Sequence, residues 1–250
     1  PGRLLDHIRR GNTRFSKLSI LVLDEADRML DMGFLPDIRR IISELPAERQ
    51  TMMFSATFPK EIERLTKSMQ RNPVRIEAGS VARPVETVRQ SVYGVATSKK
   101  IELLKDILGG TGVDSTLVFV RTKHAADRVA KKLSSLGFNA EAIHGGHAQN
   151  RRQRAIDGFR KGRHEVLVAT DVAARGLDVK GVTHVVNFDV PETSEDYIHR
   201  IGRTARASAE GDAITFVRAG QGKELGNIEK ALGRVIDRVE WEHQVEIGPT

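Results

Sequence analysis

Cysteine is absent from this 250-residue chain, which excludes a disulfide framework and thiolate ligands for a metal. A protein without disulfides suits a reducing compartment, so we predict a cytoplasmic location. Long apolar runs are missing as well, and a membrane-spanning helix needs roughly 20 such residues. The first residues, Pro1-Gly2-Arg3, do not form a signal peptide. We therefore expect no membrane partner.

Two further absences concern nucleotides and nucleic acids. The chain has no G-x-x-x-x-G-K-[ST] loop, the glycine-rich motif that cradles phosphates. In the nearest candidate, Gly222-Lys223, Val217 replaces the first glycine and Glu224 follows the lysine. Aromatic residues make up only 5% of the chain. This composition argues against a surface that recognises its ligand by stacking on aromatic side chains.

Positive charge, by contrast, is in excess. The formal net charge is +7. Residues 1–78 hold 14 Lys/Arg and 11 Asp/Glu, a net charge of +3, so the remainder carries +4. Because both parts are basic, we interpret the excess as spread over the surface rather than confined to an arm. Such a surface is typical of a protein that binds a polyanion.

Apolar periodicity predicts strands that alternate with helices, which is the pattern of a parallel sheet with right-handed crossovers. Small residues, Gly and Pro without a helical period indicate a linker at 79–87. We therefore predict an α/β protein with domains at 1–78 and 88–240 and a tail at 241–250. The predicted strands are 20–23, 51–54, 74–76, 90–95, 116–120, 140–143, 166–169, 184–188 and 213–217. The predicted helices are 3–10, 28–32, 36–45, 59–69, 99–108, 123–136, 150–160, 194–200 and 222–235, with Pro59 as the first residue of its helix.

Adjacent carboxylates follow the first apolar run, where the carboxyl edge of a parallel sheet is expected. Ligands bind at that edge in open α/β folds, and three acids within four residues, Asp24, Glu25 and Asp27, repel one another unless a cation lies nearby. Asp24 can hold a Mg²⁺ ion that bridges phosphate oxygens. Glu25 can then polarise the attacking water. The alternative is a solvated turn that caps a helix beginning near Asp27.

Two later stretches carry groups suited to phosphates and sugars. After a predicted strand, Thr170 and Gly176 can present hydroxyl or N–H groups to a phosphate, and Asp178 can accept a sugar hydroxyl. Arg203 and Arg206 lie three apart, so they share one side of a helix or turn, and guanidinium groups suit phosphate oxygens. The alternatives are a loop with a helix cap for the first stretch and a solvated basic face for the second.

A further phosphate site is predicted where the helix 150–160 begins. A helix N-terminus with clustered arginines, among them Arg152, attracts phosphates. The alternative is that Asn150 is an N-cap and the arginines are solvated. His144 and His147 are three residues apart, but without convergent carboxylates or Cys we expect core or loop histidines rather than a metal site.

Together these stretches resemble the motifs of the DEAD-box RNA helicases, in a bacterial style. The resemblance covers nearly the whole chain, and its motifs stand in the family's order and approximate spacing. It implies two RecA-like domains that close on ATP and RNA together. The first would be present only as its C-terminal half, because the family's P-loop region would precede Pro1, and the second would be complete. The stretches that carry the resemblance are Asp24-Glu25-Ala26-Asp27, Ser55-Ala56-Thr57, Ala169-Thr170-Asp171 through Asp178, His199 through Arg206, and Pro1-Gly2-Arg3, which is similar to the end of T-P-G-R-L.

The resemblance implies a role for each matching residue. Asp24 would coordinate Mg²⁺ through water. The catalytic residues would be Glu25, which activates the attacking water, and the arginine fingers Arg203 and Arg206. The residues that contact ATP would be Asp24, Gly176, Asp178, Arg203 and Arg206. The residues near RNA would be Arg3, Arg152 and Thr170, which meet mainly its phosphate backbone. The residues that couple the two domains would be Asp27, Ser55, Thr57 and His199.

One departure and two alternatives accompany this resemblance. Ala205 stands where the family has Gly, which costs about 1 kcal/mol if that position needs a positive φ and nothing if it is helical. The leading hypothesis is an ATP-dependent RNA helicase, represented by a fragment that we expect to be inactive alone. The alternative is an RNA-binding or regulatory fragment without ATPase activity, because the P-loop is absent. A DNA-translocating helicase is a third possibility, against which the D-E-A-D tetrad argues.

Overall fold

The computed structural model describes residues 1–55, 57–77, 88–174, 182–204 and 211–249, apart from the side chain of Asp31. The chain splits into two compact units, Pro1–Val81 and Ala82–Thr250. The division falls inside the predicted linker at 79–87, which lies outside the described residues. Within those residues, no helix combines the length and the apolar character that crossing a membrane requires.

The first unit contains a parallel pair of short strands with helices packed on one face. β1 (Ile20–Leu23) and β2 (Gln50–Met53) pair from Ile20 opposite Gln50. Leu23 is buried in a cluster with residues of the third and fourth helices, whereas Ile20 and Val22 are 52% and 50% exposed. The alternation of strand side chains therefore covers one face of this pair and leaves the other open. The helices are α1 (Gly2–Arg9), α2 (Ala26–Asp31), α3 (Leu35–Ser43) and α4 (Lys60–Met69).

Two expectations for the first unit are wrong. The predicted strand at 74–76 does not form, and Val74 and Ile76 are 85% and 84% exposed. In the described part of the unit no neighbouring strand offers these residues backbone partners, and a strand needs them. Pro59 is the N-cap of α4 rather than its first residue, because its ψ of 167° is extended. A residue without an N–H is tolerated at either position.

The second unit is built on a seven-stranded sheet. Its strands are β3 (Val88–Gly94), β4 (Thr116–Phe119), β5 (Ala140–Ile143), β6 (Val166–Ala169), β7 (His184–Asn187), β8 (Gly211–Val217) and β9 (Asp237–Arg238). Their order is β5-β6-β4-β7-β8-β3-β9, and every pairing is parallel. The helices are α5 (Lys100–Leu108), α6 (Lys123–Ser135), α7 (Gln149–Arg160), α8 (Asp171–Ala174), α9 (Ser194–Ile201) and α10 (Gly222–Leu232). This architecture confirms the predicted α/β class, to which β9 and α8 are unforeseen additions.

Helices cover both faces of this sheet, which explains why its central strands are mainly apolar. β4 and β6 are buried along their whole length. Val129 and Leu133 of α6 pack on one face, and Ile156 and Phe159 of α7 pack on the other. α6 ends at Ser135, and Gly137 follows its C-cap Leu136 with a φ of +95°, which suits a residue without a side chain. β5, the strand at one edge of the sheet, therefore lies between α6 and α7.

Residues 241–249, which the sequence sets apart as a tail, contact the second unit. The indole Nε1 of Trp241 donates to Asp106 Oδ2 at 3.2 Å. The N–H of Val245 donates to the carbonyl of Gly94 at 3.0 Å. A Cβ at Gly94 would overlap the Val245 carbonyl oxygen, so the close approach requires glycine. Trp241, the only tryptophan of the chain, therefore reports on the second unit.

Candidate nucleotide and nucleic-acid sites

The acidic turn of the first unit lies at the carboxyl edge of its two strands. The N–H of Ala26 donates to the carbonyl of Phe54 at 3.0 Å and ties the turn to the end of β2. Asp24 is exposed, and its Oδ1 accepts the N–H of Glu25 at 2.9 Å. Glu25 has φ 50° and ψ 48°, a left-handed conformation that costs on the order of 1 kcal/mol for a residue with a side chain. Strain of this kind concentrates at functional sites, and no sequence pattern signalled it.

Asp27 joins the acidic turn to Ser55 and Thr57. Its Oδ2 accepts the N–H of Thr57 at 2.7 Å and the Thr57 hydroxyl at 2.9 Å. Its own N–H donates to Ser55 Oγ at 3.1 Å, and Ser55 Oγ donates to the Thr57 carbonyl at 2.7 Å. Burial raises the pKa of Asp27, but the hydrogen bonds, those from Thr57 foremost, outweigh it and hold the pKa below its ordinary value. The structure thus brings these three predicted residues together around an ionised carboxylate.

Arg3 stands on the surface of the first unit. It is exposed on α1, and that helix is held in place by Leu5, which is buried with Ile41 and Leu45. The placement leaves the guanidinium accessible to a ligand of the first unit.

A buried arginine that no sequence argument singled out holds the strand ends of the second unit. Arg200 of α9 is only 4% exposed. Its Nε and Nη2 donate to the two oxygens of Asp171 at 2.7 and 2.8 Å. Its Nη1 donates to Asn187 Oδ1 at 3.1 Å and to the Asp189 carbonyl at 2.8 Å. Bidentate pairs of this kind are strong and directional, so Arg200 anchors α9 to the ends of β6 and β7.

Helical spacing could have separated Arg200 from the neighbouring arginines. Tyr197, Arg200 and Ile201 are the buried residues of α9, whereas His199 is partly exposed. Arg203 lies in the turn after the helix, and its N–H donates to the Arg200 carbonyl at 3.1 Å. Residues that one motif groups together therefore have different environments. The motif residues outside the described part of the chain are Ala56, Gly176, Asp178, Ala205 and Arg206.

A second buried cation supports the same sheet edge. Lys100 is 2% exposed, and its Nζ donates to the Phe188 carbonyl and, at 3.0 Å, to Asp189 Oδ1. Asp189 Oδ2 accepts the N–H of Arg121 at 3.0 Å. Burial lowers the pKa of Lys100, and the charge of Asp189 opposes that shift. Burial raises the pKa of Asp189, but Lys100 and the Arg121 N–H outweigh it and hold that pKa below its ordinary value.

Thr170 directly follows β6, as predicted for a residue at the carboxyl edge. It is 9% exposed, and its N–H donates to the Ile143 carbonyl at 3.3 Å. Its carbonyl accepts the N–H groups of Ala173 and Ala174, both at 2.9 Å. Thr170 therefore begins the short helix α8.

Arg152 lies in the first turn of α7, but the expected cap is wrong. The N-cap is Ala148, because its carbonyl accepts the N–H groups of Arg151 and Arg152 at 3.0 and 3.1 Å, and Asn150 lies inside the helix. The Nη1 of Arg152 donates to Gln149 Oε1 at 3.1 Å. Its Nε has no hydrogen-bond partner among the described residues. Arg152 is therefore half-buried at the start of α7, with its Nη1 bonded to the first residue of that helix.

Asp127 of α6 converges on the two histidines that follow β5, a carboxylate the sequence did not reveal. Its Oδ2 is 3.0 Å from His144 Nε2, and its Oδ1 is 3.4 Å from His147 Nε2. The N–H of Gly146 donates to His144 Nδ1 at 3.1 Å, so the neutral ring carries its proton on Nε2 and donates it to Asp127. A protonated Nε2 does not ligate a metal. The geometry therefore favours a hydrogen-bonded cluster.

Comparisons with known proteins agree with the motifs. Residues 1–65 match the DEAD/DEAH box helicase family, and residues 99–208 match the helicase conserved C-terminal domain. The chain is 35% identical to the E. coli DEAD-box protein SrmB, solved bound to the regulator of ribonuclease activity A (RraA). The match includes 65% of this chain and 96% of the SrmB chain, and its TM-score is 0.60. The chain belongs to the DEAD-box helicase family.

Other DEAD-box relatives are longer than this chain. The ATP-dependent RNA helicase DbpA of Bacillus subtilis is 42% identical over 247 residues, which are 99% of this chain and 52% of DbpA. S. cerevisiae Dbp5, solved with RNA and ADP BeF3, is 35% identical with a TM-score of 0.85, over 96% of this chain and 64% of Dbp5. These DEAD-box neighbours confirm the predicted α/β fold of RecA-like domains. The chain spans about half the length of the curated relatives it matches.

Proposed function

We propose that this chain couples ATP hydrolysis to RNA binding and local duplex unwinding, as part of an ATP-dependent RNA helicase. The observation that carries the proposal is the turn at Asp24 and Glu25. It presents two carboxylates at the carboxyl edge of parallel strands, and one of them is held in a strained conformation. The relative DbpA is an ATP-dependent RNA helicase, and Dbp5 binds RNA and ADP BeF3.

The donor set at Asp24 fits a magnesium ion. Mg²⁺ prefers oxygen ligands, keeps several waters and binds through one or two carboxylates. Asp24 is exposed, and within the described residues its carboxylate accepts only the Glu25 N–H, through Oδ1. Oδ2 is therefore open to the ion or to its waters. When bound, the ion would neutralise charge on the phosphate oxygens of ATP.

Glu25 would serve as the base that activates the attacking water. The hydrogen bond from Ala26 to Phe54 fixes the backbone of the turn that carries Glu25. Arg203 and Arg206 would stabilise charge on the γ-phosphate, an effect of about 10³–10⁵ in rate. Gly176 and Asp178 would contact the phosphates and the ribose.

RNA would be bound mainly through its phosphates. Thr170 and Arg152 follow β6 and β5 at the carboxyl edge of the second unit, and Arg3 would contribute from the first unit. The place of Arg152 in the first turn of α7 supports this role, because a helix N-terminus and a guanidinium both favour a phosphate.

Asp27, Ser55 and Thr57 would couple the two domains, 1–78 and 88–240, by pairing with His199. The hydrogen bonds that lower the pKa of Asp27 keep it ionised, and an ionised carboxylate is a strong acceptor for an imidazole N–H. We place this activity in the cytoplasm.

A second candidate function is RNA binding without turnover. It is favoured by the lack of a G-x-x-x-x-G-K-[ST] loop in these 250 residues. Phosphoryl transfer depends on positioning more than on covalent chemistry. A chain that holds Asp24, Glu25 and Arg203 but no loop for the β- and γ-phosphates would bind RNA and turn over little ATP.

ATP turnover, measured with and without RNA, tests both functions. We expect little RNA-stimulated turnover from residues 1–250 alone. We expect clear stimulation from a hybrid in which the segment preceding the matched region of a DEAD-box relative is joined to Pro1. In the hybrid, Glu25→Gln and Arg203→Ala should lower kcat by about 10³ or more and leave RNA affinity nearly unchanged.

Two exposed residues, Arg39 of α3 and its C-cap Glu44, provide matched controls, since Glu44→Gln and Arg39→Ala make the same chemical changes away from the turn. Near-normal turnover in the Glu25 and Arg203 variants would contradict the helicase proposal. RNA-stimulated turnover by residues 1–250 alone would contradict the second candidate.

A further inference from the structure

The positive charge of this chain is concentrated in one stretch, contrary to the expectation that it is spread. Residues 121–163 contain 11 Lys/Arg and 3 Asp/Glu, a net charge of +8. The whole chain carries +7, so all remaining residues together are close to neutral. Counting by predicted domain conceals this concentration, because acidic residues elsewhere in the second unit offset it.

The fold gathers this charge around the edge strand β5. α6 packs on one face of the sheet and α7 on the other, and β5 lies between them at the edge. Their outward side chains therefore surround one side of the second unit. We call six of its exposed cations the β5 flank, which consists of Lys123, Arg128, Lys131, Lys132, Lys161 and Arg163.

The three neighbouring carboxylates contact other residues and are too few to neutralise the β5 flank. Asp127 contacts the two histidines after β5. Glu141 pairs with Arg151 at 3.2 Å, and Asp157 accepts a hydrogen bond from Gln153 at 3.0 Å. No carboxylate of the described chain lies within 4.0 Å of a flank cation. The flank also lacks an anchor for an ordinary protein partner, since Leu136 is the only exposed large apolar residue described between 121 and 163.

The β5 flank continues away from the proposed RNA site. Both α6 and α7 begin at the carboxyl edge of the sheet, where Thr170 and Arg152 lie, and run toward the opposite edge. Lys131 is eight residues beyond Lys123, which is about 12 Å along the helix axis. Lys161 and Arg163 follow the end of α7 and mark the same far end. A chain of phosphates leaving the site could therefore meet further cations along α6 and after α7.

We propose that the β5 flank binds the phosphate backbone of RNA that extends beyond the site at the strand ends. The inference rests on the proposed RNA binding and deepens it, because it assigns a second surface to the same ligand. Cations on such a surface release counterions from the nucleic acid without reading its sequence. The flank therefore adds affinity only for RNA long enough to reach it.

Two RNA lengths and two charge-reversal variants test the proposal on the 250-residue chain. The probes are labelled, unstructured single strands of about 6 and about 25 nucleotides, the shorter one intended to fill only the site at the strand ends. The test variant is K131E/K132E. The matched control is K223E/K230E, which reverses two exposed lysines of α10 and has the same net charge. Affinities are measured by fluorescence anisotropy over a range of salt concentrations.

For the long RNA, K131E/K132E should lower affinity on the order of tenfold or more at about 0.1 M salt and reduce the salt slope by about 1.4, the value for two phosphate contacts. Its affinity for the short RNA should stay near that of the native chain, and K223E/K230E should affect both RNAs little. The milder K131Q/K132Q should show a smaller loss in the same direction. Unfolding followed by Trp241 fluorescence checks that each variant is folded.

An unchanged affinity for the long RNA would overturn the proposal, as would an equal loss with the control variant or an equal loss with the short RNA. The failure of the proposed RNA site has a different signature. In that case the native chain binds the long RNA but not the short one, and K131E/K132E abolishes that binding. This result would support the β5 flank and contradict the proposed RNA site at Thr170 and Arg152. If the native chain binds neither RNA, both are overturned.

Discussion

Replacing Arg200 with Ala should destabilise the second unit severely. Its side chain is 4% exposed and makes four hydrogen bonds, two of them to the carboxylate of Asp171. Truncation would leave Asp171 and Asn187 without their partner in a largely buried place, and breaking a buried ion pair costs about 3–5 kcal/mol. Arg200→Lys keeps the charge but loses the planar fork, so we expect about 2 kcal/mol.

The single tryptophan makes this loss measurable. Trp241 is bonded to Asp106 of α5, so a urea titration followed by its fluorescence gives the free energy of unfolding of the second unit. Asp171→Ala should cost a comparable amount. The double variant should cost little more than either single change, because the two side chains act as a pair. Exposed Arg154→Ala is the control and should stay within about 0.5 kcal/mol of the native chain.

A loss below about 1 kcal/mol for Arg200→Ala would refute the reasoning from burial and pairing. Strictly additive losses in the double variant would also refute it, since they would mean that Arg200 and Asp171 do not interact. A variant with native stability and weakened RNA binding would instead make Arg200 a phosphate ligand.

Three further predictions concern single side chains of the proposed sites. Although burial raises the pKa of Asp27, the hydrogen bonds from Thr57 hold it below its ordinary value of 3.8. Its contribution to stability is therefore complete above that value and is lost as the pH falls through the lower folded pKa. Hydrogen exchange at Ser55 and Thr57, corrected for intrinsic rates, should show this acid-dependent loss in the native chain, and its persistence in Asp27→Asn would contradict the assignment. Glu25→Gly should relieve the left-handed strain and stabilise the first unit by up to about 1 kcal/mol while abolishing turnover in the hybrid; lower protection of that unit in hydrogen exchange would argue against stored strain. Arg152→Ala should weaken binding of all RNA sequences alike and reduce the slope of log affinity against log salt by about 0.7, whereas a loss that depends on base sequence would speak against a phosphate contact.

Local patterns in the sequence predicted most of the fold. The runs at 20–23, 140–143 and 166–169 are strands with those bounds in the structure. The last of them, β6, is continuously apolar because it is covered on both faces. The run at 74–76 has similar composition and forms no strand. Strand formation depends on a neighbour that supplies backbone partners, and a three-residue pattern carries no information about that neighbour.

The order of the motifs, the α/β class and the excess of positive charge were thus determined by the sequence itself. Only the tertiary structure decided which of several similar residues is buried and what it contacts. It separated Arg200, anchored on Asp171, from Arg203, and it joined Asp27 to Thr57 across 30 residues. It also brought lysines and arginines of one stretch to a common surface, because α6 and α7 lie on either side of the edge strand β5. The physical reason is that periodicity is a property of neighbouring residues, whereas desolvation and pairing depend on segments that are distant in the chain and meet only when it folds.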